Sequence, residues 1–274
     1  MSLVSNNVIE PGKFSKGTTT ENVDQWIDRR FSEISDVILQ NKQSQPVYIQ
    51  FNEAWNKTNW NLDLNPLRNK YGEQWIEEYI YQSLNVSISK GLDVNSDFVL
   101  MFNENGMFNN LQKQRIVHDK LVEARINAFN RLADDPIIAT KLQEMGIIKA
   151  EDIKILMGTQ MHIKLGEAGD GHVFMPDPTV EQINSLADLF SDLGGIIMTE
   201  VNPNEDEDQK AAFLSKITQV LTSNKNLHGF IIWNPVPDDE NGEDIFKVSP
   251  TFLFNENGSP TQLYFELLRE SASN

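Results

Sequence analysis

The chain has 274 residues, 39% of them apolar, which is enough for one large domain or two small ones with a sizeable core. Its net charge of −17 repels polyphosphates and anionic lipid surfaces, so neither nucleic acid nor membrane is an expected partner. With no cysteine, disulfides, thiol catalysis and cysteine-ligated metals are excluded.

The first residues, "MSLVSNNVIEPGKFSKG", hold no basic segment followed by an apolar stretch, and no apolar run in the chain approaches a membrane span. Residues 1–17 read as a mobile lead-in, and 18–274 as the folded domain. As given, the chain is expected to stay in the cytoplasm unless its true start lies upstream; the compartment is left undetermined. Thr18 and Glu21 have the spacing of a capping box, ahead of a helical stripe of Trp26, Ile27, Arg30, Phe31, Ile34 and Ile38. "QPVYIQF" is a strand. Gly72 to Lys90 is a helix with Ile76, Ile80, Leu84 and Ile88 at four-residue spacing, ended by Gly91. "DFVLMF" is a strand suited to burial on both faces. Arg115 to Leu142 is helical, with a break expected at Asp134–Pro136.

Ile153–Met157 is the next strand, followed by the loop "GEAGDGHVFMPDP". Thr179 and Gln182 form a second capping box before Ile183, Leu186, Phe190 and Leu193; Gly194 and Gly195 close that helix. Ile196–Glu200 is a strand, Leu214, Ile217 and Leu221 stripe a helix, and Gly229–Trp233 is the last strand. A helix around Thr261–Arg269 closes the chain. Strands alternating with helices make an α/β fold with a parallel sheet, either open and doubly wound or part of an eight-stranded barrel.

Polar residues gather at the C-terminal ends of the five expected strands: Asn52-Glu53, Asn103-Glu104, Gln160 with His162, Thr199-Glu200 and Trp233-Asn234. In barrels this is the end that carries active sites. Two carboxylates suit glycoside hydrolysis, one protonating the leaving oxygen while the other attacks the sugar carbon. Uncharged Asn and Gln bind sugar hydroxyls, and a Trp offers an apolar face to a sugar ring. A metal site is not expected: the four histidines form no HxxxH pair, and the acidic run Asp238–Asp244 has Pro237 where a calcium loop needs its first Asp. No phosphate-binding glycine loop is present, and no cofactor is expected.

The ordered segments "FNEAWN", "YGEQWIEEYIYQSL", "VLMFNEN", "MGTQMHI", "IIMTEVN", "HGFIIWNPVPDD" and "FLFNENGSPTQLYFELL" resemble family 10 of the glycoside hydrolases, the retaining endo-1,4-β-xylanases, from before the fourth barrel strand onward. The resemblance implies a (β/α)8 TIM-barrel type fold, incomplete at about five βα units, and a β-1,4-linked polysaccharide or oligosaccharide as partner. It implies Glu53 as acid/base and Glu200 as nucleophile. Asn52 would hold the sugar 2-hydroxyl, His162 would hydrogen-bond the nucleophile, and Gln160, Trp233 and Asn103 would line the cleft. The sequence departs from the family at Val201-Asn202, where Leu-Asp is usual, at Asn234 in place of Gly, and at Glu104-Asn105 in place of Asp-Tyr. Five strands would leave open sheet edges, so a homodimer or a missing N-terminal half is expected to cover them. A non-catalytic carbohydrate-binding relative is the alternative reading.

Overall fold

The computed structural model describes residues 4–9, 19–41, 46–52, 55, 66–162, 178–202 and 207–232. Along the chain run β1 (Val4–Ile9), α1 (Val23–Gln40), β2 (Val47–Asn52), α2 (Pro66–Tyr71), α3 (Trp75–Ser89) and β3 (Phe98–Glu104). They are followed by α4 (Leu111–Ala133), α5 (Pro136–Glu144), β4 (Ile155–His162), α6 (Val180–Leu189), β5 (Ile196–Asn202), α7 (Glu207–Ser223) and β6 (Leu227–Ile232). The strand order follows the sequence, β1-β2-β3-β4-β5-β6. The pairs β1–β2, β2–β3 and β5–β6 are parallel, as βα repeats require. The chain divides into two compact units, one holding residues 1–104, 112–157 and 192–194, the other 105–111, 158–191 and 195–274.

In the first unit, the β2–β3 ladder runs from Val47↔Phe98 to Asn52↔Asn103. Because strand side chains alternate between faces, this register stacks Phe51 beside Phe102, ring centroids 5.7 Å apart. Tyr79 of α3 meets both rings edge-on, at 4.7 and 5.7 Å, and Trp75 lies 5.5 Å from Phe51. Such pairs add to the hydrophobic gain of burying the rings. The helix α3 thus packs on the Phe51/Phe102 face.

The helix α1 buries Val23, Ile27, Phe31, Ser35 and Ile38, and Phe31 meets Tyr79 edge-on at 5.7 Å. Small side chains let the two helices approach: Ser35 Oγ donates to Ser87 Oγ of α3 at 3.3 Å, both buried. The carbonyls at the end of α3 receive a cation, Lys141 Nζ of α5, at 2.9 Å from Ile88 O.

The segment expected as a lead-in carries a strand. "VSNNVI" has polar residues in its middle, but β1 pairs in parallel with β2, Val4↔Tyr48 and Ile9↔Phe51. Backbone pairing does not depend on side-chain polarity, and the edge of β2 expected to be open is occupied. The α1 cap also differs from expectation. The helix starts at Val23 with Asn22 as its N-cap, whose Oδ1 accepts from the Thr19 N–H at 2.7 Å, so Glu21 lies before the helix; Thr18 is outside the described residues. The Thr179–Gln182 box forms as expected. The break at Asp134–Pro136 is also present, with Asp135 capping α5 by accepting from the Ile137 and Ile138 N–H groups. The helix expected at Thr261–Arg269 lies outside the described residues. No helix among the described residues is long and apolar enough to cross a membrane.

Two side chains tie the first unit together at its strand starts and turns. Asn95 sits at φ 70°, a left-handed conformation that Asn tolerates better than most residues. Its Nδ2 donates to Asp152 O at 2.6 Å, and its Oδ1 accepts from the Lys154 N–H at 2.9 Å, joining the entries to β3 and β4. Arg125, 2% exposed in α4, donates to Asp192 O at 2.7 Å and to Ile153 O at 3.4 Å. Beside it, the His118 ring contacts Asp119 at 3.0 Å and Asp192 at 2.9 Å. In the second unit, Gly195 has φ 99°, and a Cβ there would sit 2.3 Å from Asn226 O. That space is needed because the Ile196 N–H donates to the same carbonyl at 2.8 Å.

Replacing Asn95 by Ala removes two hydrogen bonds and leaves a β-carbon in a left-handed site, at an expected cost of about 2–4 kcal/mol. Asn95→Gly relieves the backbone term and costs less. Urea unfolding of both variants checks the order; two neutral substitutions contradict it. Partial burial works against a protonated His118, but the flanking carboxylates outweigh it and raise its pKa. The stabilisation this gives is therefore fully present below the unfolded-state value of about 6.5 and fades as pH rises through the folded-state value. Urea midpoints between pH 5.5 and 9 should fall less on raising pH in His118→Gln than in the wild type.

Candidate active site

The candidate residues lie toward the C-terminal ends of the strands. In the first unit, Asn52 ends β2 and is in register with Asn103, the second-last residue of β3. Alternation puts Gln50, Met101 and Asn103 on the sheet face opposite the aromatic cluster. Gln50 is 5% exposed and Asn103 is fully buried, so this face carries amides inside the fold. Buried amides must be hydrogen-bonded, and their paired donors and acceptors match sugar hydroxyls.

Glu104 follows Asn103 and is also fully buried. Its Oε2 lies 2.8 Å from Nζ of Lys113, in the first turn of α4. Nothing in the sequence marked Lys113. It stands nine residues beyond Glu104, past the connection 105–110, and only the fold brings the two together.

The strand β4 continues past the expected end at Met157 as far as His162, and its residues 158–162 belong to the second unit. Gln160 and His162 therefore lie within a strand rather than after one. The polar letters of "GTQMH" concealed the extension. Gln160 is 2% exposed. Gln160 and His162 are two residues apart along β4, and Glu200 and Asn202 two apart along the neighbouring β5. Thr199, at position 4 of β5, is 1% exposed. The β5–β6 ladder runs through Met198↔Phe230 and Val201↔Ile232, so Trp233 follows the residue paired with Val201. Glu53 and Trp233 themselves lie outside the described residues. No group of three or more His, Asp or Glu side chains suited to a metal ion occurs among the described residues.

This ordered parallel βα repeat has counterparts among solved structures. Xylanase 10B from Thermotoga petrophila RKU-1, in complex with xylobiose, matches over 100% of this chain and 74% of its own, with a TM-score of 0.63 and 15% identity. The chain has a fold like that of family 10 xylanases. The family 10 xylanase from Bispora sp. MEY-1, also with xylobiose, covers 96% of this chain and 74% of its own at a TM-score of 0.60 and 16% identity. Native xylanase 10B from Thermotoga maritima covers 100% and 74% at 0.58 and 16%. No protein-family model matches the chain, and no curated protein matches it. The architecture is accordingly the α/β, (β/α)8-barrel type in partial form, with six strands described where five were expected. It is a glycoside-hydrolase-like fold.

Proposed function

We propose that the protein is a retaining glycoside hydrolase acting on a β-1,4-xylan-type polysaccharide or oligosaccharide. The observation that carries this reading is the placement of Asn52, Asn103, Gln160, His162 and Glu200 toward the C-terminal ends of successive parallel strands, in a fold shared with xylanases. Glu53 follows Asn52 directly in the chain.

In the first step the Glu200 carboxylate attacks the anomeric carbon. The bond to the leaving oxygen breaks, and Glu53 gives that oxygen its proton. In the second step Glu53, now a carboxylate, takes a proton from water as that water attacks the same carbon and expels Glu200. Two inversions retain the configuration. The mechanism requires the two carboxyl groups to stand about 5–5.5 Å apart. Asn52 holds the 2-hydroxyl at the cleavage point, a contact that strengthens as positive charge develops on the ring. His162 hydrogen-bonds Glu200, and Gln160, Trp233 and Asn103 line the sugar path. No metal or cofactor enters this scheme.

A second reading, a carbohydrate-binding protein without turnover, draws on Asn202. This residue ends β5 two positions beyond Glu200, where the family usually has Asp. An amide cannot supply the negative charge that an Asp would bring to the His162–Glu200 pair.

Glu200→Ala is expected to reduce hydrolysis of xylan and of an aryl xyloside to background. Glu53→Ala should slow xylan cleavage by about 10²–10⁴-fold. It should spare the first step on an aryl xyloside with a good leaving group, which needs little protonation. Added azide should then restore turnover and give a β-xylosyl azide. If the wild type binds xylo-oligosaccharide by calorimetry but hydrolyses neither substrate, the binding reading replaces the enzyme.

A further inference from the structure

Asn52↔Asn103 is the last pair of the β2–β3 ladder. Glu104 is one residue further on, so β3 continues past its pairing with β2 while its side chain is wholly buried. A buried carboxylate is tolerated only with a counter-charge or hydrogen bonds. Its cation is Lys113, at 2.8 Å from Oε2, with the lysine side chain 19% exposed. The two residues flank the β3–α4 connection, residues 105–110, which contains Asn105, Asn109 and Asn110. Alternation sends Asn103 and Glu104 to opposite faces of β3. The ion pair therefore holds the strand end from one face while Asn103 occupies the other, beside the register position of Asn52.

We propose that Glu104 and Lys113 are positioning residues for sugar binding: their ion pair fixes the end of β3, and through it the amide of Asn103, against the substrate. This rests on the glycoside-hydrolase reading above. Neither residue touches the reacting atoms, so the pair governs how tightly a xylo-oligosaccharide is held more than how fast an activated bond breaks. Loss of the lysine takes the counter-charge from a buried carboxylate, which disturbs the strand end. Loss of both charges removes that disturbance.

The test uses calorimetric binding of a xylo-oligosaccharide and kinetics on an aryl xyloside for the wild type, Lys113→Met, Lys113→Arg and the double variant Glu104→Gln/Lys113→Met. Circular dichroism verifies folding in each. Lys113→Met should weaken binding about tenfold or more while kcat on the aryl xyloside changes less than about threefold. Lys113→Arg and the uncharged double variant should recover most of the affinity; the double variant also keeps the test sound if the single one folds poorly. A role in stability alone would lower the melting temperature and leave the dissociation constant of the folded fraction unchanged. Variants that bind within about twofold of the wild type overturn the proposal and leave the enzyme reading intact. A folded wild type that neither binds nor hydrolyses xylo-oligosaccharide removes both.

Discussion

The parallel register of β2 against β3 is the constraint on which the first unit depends. Strand side chains alternate with a period of two, so one pairing decides what every residue faces. Phe51 beside Phe102 gives α3 an aromatic surface to cover through Trp75 and Tyr79. The same register brings Asn52 level with Asn103 and leaves Gln50 and Asn103 on the other face. A slip by one residue would bury amides against α3 and turn the rings toward the proposed sugar path. Hydrophobic packing on one side thus fixes the polar residues on the other.

Burial of polar groups follows the same logic. Asn103, Glu104, Gln160, Thr159 and Thr199 are nearly or fully buried toward the C-terminal half of their strands. At the opposite ends, Asn95 ties the entries to β3 and β4 through two hydrogen bonds. The entry ends carry bonds that hold the fold, and the exit ends carry the groups proposed to meet a sugar. This division is the one expected of barrel enzymes, where stability and chemistry sit at opposite ends of the strands.

Much of this was legible in the letters. Apolar runs such as Phe98–Phe102 and the four-residue spacing from Ile76 to Ile88 announce a buried strand and a helix, because the periods of two and of 3.6 are geometric. The Thr179 box and the break before Pro136 were readable because capping and proline act locally. What was hidden depends on distant partners. The strand β1 has three polar residues in its middle and exists through pairing with β2. The extension of β4 to His162 is supported by neighbouring backbone rather than by its own composition. The helix α1 starts at Val23 behind Asn22, a start that the Thr18–Glu21 spacing did not mark. The Glu104–Lys113 contact has no local signature at all. Among the site residues, Glu200 falls on the strand expected for it, Asn52, Asn103, Gln160 and His162 lie inside strands that run further than their composition suggested, and Glu53 and Trp233 lie outside the described residues.

The central claim is that Glu200 forms a covalent bond to the sugar. A 2-deoxy-2-fluoro xylobioside with a dinitrophenyl leaving group tests it directly: the fluorine slows both steps, and the leaving group lets the first outrun the second. Mass spectrometry of the intact protein should show one added fluoro-xylobiosyl group, and peptide mapping should place it on Glu200. An unmodified protein that binds the unfluorinated xylobioside, or an adduct on any other residue, would contradict the account.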